Sequence, residues 1–114
     1  MNIHNCNLNI WAHLPDESWT KVANIYKSMP GWLGYTGGIP YWYGQETDEM
    51  FITASVEPSG LSFYAQMEQS EWDSWIGRFK AEATRVLGFE VGGSRRRGLS
   101  EFICTSHTHP NFID

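Results

Sequence analysis

Positive charge is scarce in this chain of 114 residues. Eight lysines and arginines stand against 13 acids, a formal net charge of -5. Non-specific nucleic-acid binding needs a basic surface to neutralise phosphates, so that function class is excluded as an expectation. Long apolar runs are missing, and no stretch approaches the roughly 20 residues of a membrane-spanning helix. The opening "MNIHNCNLNI" has neither a basic n-region nor an apolar h-region. The expectation is therefore a cytoplasmic protein without a secretory signal. Cysteine is limited to Cys6 and Cys104, and in that compartment a pair of free thiols is expected. No G-x-S-x-G, H-E-x-x-H, P-loop or dinucleotide fingerprint occurs. No catalytic residue and no cofactor is assigned.

Aromatic residues are abundant instead: six Trp, six Phe and five Tyr. A disordered chain would carry few of them, so this one folds. Its length suits one domain with a core of its own. The rings concentrate in Met29–Gly44, "MPGWLGYTGGIPYWYG", which packs five aromatics, five glycines and two prolines into sixteen positions. Glycine and proline interrupt regular structure while the rings call for a surface to pack on.

Periodicity places the elements around that stretch. "NLNIWAHL" alternates, with Leu8, Ile10, Ala12 and Leu14 on one side and Asn9, Trp11 and His13 on the other, which reads as a half-buried strand. "PDESWTKVANIYKSM" repeats Trp19, Val22, Ala23, Tyr26 and Met29 at three- and four-residue steps, an amphipathic helix closed by Pro30-Gly31. "PYWYG" has room for one short strand. "MFITASVE" and "LSFYAQM" alternate on either side of Pro58-Ser59-Gly60 and predict a hairpin. "SEWDSWIGRFKAEATRVLGF" carries a stripe of Trp72, Trp75, Ile76, Phe79, Ala83, Val86 and Leu87. Its expected start is a capping box of Ser70 and Asp73, and its expected stop is Gly88 with Phe89 as the accompanying apolar contact.

The order β-α-β-β-β-α predicts an α+β two-layer sandwich, an antiparallel sheet of three to four strands with both helices on one face. Residues 1–92 form the domain, with a charge balance of -6. Residues 93–114, opening on "GSRRRG", carry a balance of +1 and read as a basic linker and flexible tail, with one strand-like segment at "EFICT".

Helices on one face leave the other face spare. It would carry Trp11, His13, Phe51, Thr53, Tyr64 and one side of Tyr41-Trp42-Tyr43. An open antiparallel face is normally polar, and this one reads aromatic. Two interpretations stand: the glycine-rich stretch folds its own rings into the core, or part of the aromatic set stays exposed as a binding surface. Glu46, Asp48 and Glu49 before the hairpin, and Glu68, Glu71 and Asp73 at the second helix, are either solvated termini or an acidic patch that steers a basic partner. The candidate partner-binding residues are Trp11, Trp32, Tyr35, Tyr41, Trp42, Tyr43, Glu46, Asp48, Glu49 and Tyr64.

Other constellations carry less. Cys104, His107 and His109 hold ligand-type side chains, but their spacing matches no zinc pattern and no metal is assigned. His4 and Cys6 would share one strand face as base and nucleophile, with no third orienting group. The expected function is that of a small acidic protein-binding module without catalysis. Proteins of this kind occur among the bacterial immunity proteins that neutralise a basic toxin domain, a likeness of class that no motif carries. The alternatives are a small-molecule binder or enzyme with an aromatic cleft, recognisable by a pocket beside His13, and a homodimer sealed through the aromatic face.

Overall fold

A computed structural model describes residues 2–92 and the backbone of a strand at 104–107. Strand β1 (Asn2–Leu8) leads into helix α1 (Asp16–Ser28), which is followed by β2 (Trp32–Thr36), β3 (Ile39–Trp42), β4 (Phe51–Glu57), β5 (Gly60–Met67), helix α2 (Gln69–Leu87) and β6 (Cys104–His107). The sheet is antiparallel in the order β2-β3-β4-β5-β1-β6. The α+β class and the two helices match the expectation; the strand count exceeds it.

The two additional strands have different origins. β2 lies inside the glycine-rich stretch. Gly37 and Gly38 have φ of 59° and 82°, the two positive values that a tight type I′ hairpin turn requires. They join β2 to β3 with Thr36 opposite Ile39. The register shifts between Trp32 and Gly34, so Leu33 is the extra residue of a bulge and strict alternation is lost. β6 pairs with the outer edge of β1, and Cys104 stands opposite Cys6. Cys6 is disulfide-bonded, which corrects the expectation of free thiols. The rest of the 93–114 linker and tail lies outside the described residues.

Other boundaries differ from the sequence pattern. β1 ends at Leu8, so Ile10, Ala12 and Leu14 do not continue a strand. Asn9 turns the chain away by binding the far end of the domain: its N–H donates to the Gly92 carbonyl at 3.1 Å and its Nδ2 to the Glu90 carbonyl at 3.0 Å. Leu14 N–H then closes a turn on the Trp11 carbonyl. The capping box at Ser70 does not form, because Glu68 occupies the N-cap and no side chain caps it. Gly88 stops α2 at φ 86° as expected, but Val91 rather than Phe89 is buried there.

The core fills the space between the helices and one sheet face. Trp42, Ile52, Ala65 and His4 form a cross-strand row through β3, β4, β5 and β1, and every one of them is fully buried. Val22, Ile25 and Tyr26 of α1, Met29 at its C-cap, and Trp72, Trp75, Ile76 and Phe79 of α2 pack over that face. Trp42 is the centre. Its ring meets Tyr26 edge-on at 5.2 Å and Trp75 at 5.0 Å, and its Nε1–H donates to the Tyr26 carbonyl at 3.0 Å. An indole buried this deeply needs that bond, since an unsatisfied N–H costs about 1–3 kcal/mol. His4 stacks on Trp72 at 5.3 Å, and its Nε2 lies 2.9 Å from the Met67 carbonyl.

Candidate functional site

Strand alternation sends the next row to the face the helices leave open. Tyr41, Thr53, Tyr64 and Asn5 stand side by side across β3, β4, β5 and β1. A neighbouring row holds Ser55, Ser62 and Asn7. A groove of about 440 Å³ runs over all of these residues but Asn7, and its lining also includes Glu46 and Glu57. No lysine or arginine lines it among the described residues.

Hydrogen bonds hold Ser62, Thr53 and Ser55 of the groove lining in place, the first of them through Asn7 beside the groove. Asn7 Oδ1 accepts from Ser62 Oγ at 2.6 Å and from Ser59 Oγ at 3.1 Å. Thr53 Oγ1 donates to the Pro40 carbonyl at 2.9 Å, and Ser55 Oγ donates to Glu57 Oε2 at 2.7 Å. These bonds fix polar groups that would otherwise sample several rotamers, which lowers the entropy a ligand must offset. The loop of residues 43–50 closes one end. Gln66 Nε2 donates to the Glu49 carbonyl at 2.9 Å, and Asp48 Oδ2 accepts the Gln45 N–H at 2.7 Å within a tight turn.

The candidate residues divide among six environments. Tyr41, Glu46 and Tyr64 line the groove; Tyr64 is 37% exposed and Tyr41 is buried. Asp48 and Glu49 are exposed on the adjoining loop. Trp32 is half-buried on β2, with its ring 5.2 Å from Tyr35 and 5.5 Å from Trp42, while Tyr35 is exposed beside Ile39 and Val56. Tyr43 is exposed on the α2 side and borders a separate cleft with Glu71 and Arg78. Two expectations are corrected. Trp42, placed on the partner surface by the sequence pattern, is fully buried because its position in β3 points at the helices. Trp11 and His13 lie in the turn after β1, off the sheet altogether.

Sequence reasoning passed over Asn5, Ser62 and Glu57 as groove residues. The signal was present in "NCNLN", where Asn5, Asn7 and Asn9 recur at every second position, but polar residues at alternate positions do not announce which face they serve. His4 and Cys6 do share a strand face, as expected, yet neither is placed for nucleophilic chemistry: His4 is buried against Met67 and Trp72, and Cys6 is in a disulfide. Among the described residues no group of three or more His, Cys, Asp or Glu is arranged to hold a metal ion; the His107 side chain and His109 lie outside them. No helix among the described residues is long and apolar enough to cross a membrane. No family model, curated protein or solved structure matches the chain.

Proposed function

We propose that the chain is a protein-binding module that acts without catalysis, and that its open sheet face receives a basic protein surface. One observation carries this reading: a groove of mixed polar and apolar lining with exposed Tyr64, which includes Glu46 and Glu57 and adjoins the exposed Asp48 and Glu49, has no positive side chain lining it among the described residues. Such a face repels acidic partners and accelerates encounter with basic ones. Tyrosine at the centre supplies contact area at little entropic cost. An immunity-type inhibitor that covers a basic toxin domain is the class of activity this surface suits. The small-molecule alternative anticipated a pocket beside His13, and His13 lines none of the clefts described here.

A cytoplasmic location belongs to the same proposal. The disulfide at Cys6 pulls against it, because reducing compartments keep thiols free.

The test is capture of partners from the source cells on immobilised protein, with Glu46→Lys/Glu57→Lys and Tyr64→Ala as variants and Glu17→Lys as a remote charge control. Retention of a basic protein by the parent chain and by Glu17→Lys, with loss of at least about ten-fold for the double reversal, supports the reading. Equal retention by all four proteins refutes it, and a self-associating chain whose dimer is broken by Tyr64→Ala assigns the face to a homodimer instead.

A further inference from the structure

A second site lies on the helix side of the sheet, away from the open face. Tyr43 is the one non-glycine residue at positive φ among the described residues, at 70°. An aromatic residue there is strained and persists only when its surroundings hold it. They do. The Tyr43 N–H donates to the Gly31 carbonyl at 2.7 Å. Its ring lies so close over Gly31 that a Cβ on that residue would fall 2.7 Å from two ring carbons. The strained backbone thereby presents the phenol to a cleft of about 510 Å³, within the roughly 300–1,000 Å³ of small-ligand sites.

The two sides of this cleft differ in chemistry. Pro30, Met50, Met67 and Trp75 make an apolar floor. Trp75 is fixed there by its Nε1–H bond to the Pro30 carbonyl at 3.0 Å. The other side is one face of α2, bearing Ser70, Glu71, Ser74 and Arg78. The side chains of Glu71 and Arg78 form no hydrogen bond or ion pair with another described residue, although their charges are opposite. Both act on the Tyr43 phenol, whose pKa is raised first by burial and then by Glu71, against a lowering by Arg78.

Charge spacing selects among ligands. Seven residues of helix separate Glu71 from Arg78, about 10 Å along the axis. A free amino acid, whose ammonium and carboxylate flank one Cα, covers only about a third of that axial distance. An extended chain advances about 3.3–3.6 Å per residue, so three residues cover about 10 Å. The geometry points to a binding site for a short apolar peptide, its ammonium terminus at Glu71, its carboxylate at Arg78 and its side chains on the Met50, Met67 and Trp75 floor. Methionine and tryptophan accept varied apolar side chains, so length and free termini set the selection more than sequence does.

The probe is the tripeptide Ala-Phe-Ala, titrated into ¹⁵N-labelled protein while the Trp75 indole N–H and the Ser74 amide are followed by NMR. N-acetyl and C-amide forms of the tripeptide, and free phenylalanine, serve as comparisons. The expected result is saturable binding of the free tripeptide, about ten-fold tighter than each capped form, as loss of one charge-assisted hydrogen bond predicts. Arg78→Ala should erase the penalty for amidation, and Glu71→Gln the penalty for acetylation; both residues are exposed, so the fold tolerates them. The proposal is overturned by no saturable shift up to about 10 mM peptide. It is equally overturned by capped and free peptides that bind alike, which would assign the cleft to an internal protein segment. Neither result depends on the open-face groove, because Glu46 and Glu57 do not border this cleft.

Discussion

Gly31→Ala isolates the contact that holds Tyr43 in place. Two independent costs add at this position. Gly31 has φ of 86°, and a Cβ in the left-handed region costs about 1–2 kcal/mol. The new methyl would also stand 2.7–2.8 Å from three Tyr43 ring carbons, an overlap that no side chain tolerates unmoved. Forced repacking of this kind costs about 1–3 kcal/mol. Because the ring is 40% exposed, it can swing outward, and the lower part of that range applies. The expected total is about 2–3 kcal/mol. Urea denaturation monitored by tryptophan fluorescence measures it, and a double-mutant cycle separates its parts. In a Tyr43→Ala background the ring is gone while residue 43 keeps its backbone penalty, so Gly31→Ala should cost only the backbone share, about 1–2 kcal/mol. The reasoning is refuted if Gly31→Ala costs the same in both backgrounds, since the ring would then not be seated on Gly31. The same substitution should weaken tripeptide binding in the cleft without changing capture at the open face.

Further outcomes follow from the same geometry. Trp42→Phe should destabilise the fold by about 2–4 kcal/mol, because it opens space between Tyr26, Phe63 and Trp75 and strips the Tyr26 carbonyl of its indole donor. Tyr64→Ala on the open face should cost no more than about 1 kcal/mol; similar losses at the two positions in urea melts would contradict the assignment of one ring to the core and the other to the surface. Burial pushes the Tyr26 phenol well above its ordinary range, with Tyr35 adding to the rise. The folded state then favours the neutral form, so this contribution is intact below about pH 10 and is lost as pH climbs above it, by up to about 1.4 kcal/mol per unit. Urea midpoints at pH 9 and pH 11 should show the fall, and Tyr26→Phe should flatten it; an unchanged slope in Tyr26→Phe would place the alkaline sensitivity elsewhere.

Much of the architecture was legible because burial has a period. The stripe from Trp72 to Ala83 repeats at helical spacing and is buried in α2. "MFITASVE" and "LSFYAQM" alternate, and they pair as β4 and β5 around Pro58-Ser59. The left-handed stop at Gly88 needed only the knowledge that glycine adopts that conformation cheaply. β2 was not legible by alternation, since the bulge at Leu33 breaks the period that marks a strand. The Gly-Gly signal at positions 37–38 was available, but its meaning depends on two flanking strands, one of which is hidden by the bulge.

The amino-acid sequence by itself determined that this chain folds around aromatic rings, that two helices cover one face of an antiparallel sheet, and that acids outnumber bases around the loop at 46–49. Only the tertiary structure decided which rings remain at the surface. Adjacent residues of β3 point to opposite faces, so Trp42 became the centre of the core and Tyr41 the floor of the groove. A positive φ then turned Tyr43 away from both, onto Gly31 and toward α2. Three consecutive rings of near-identical composition thus have three different environments. The reason is that composition fixes how much apolar surface must be buried, whereas strand register and backbone dihedrals fix which atoms are buried.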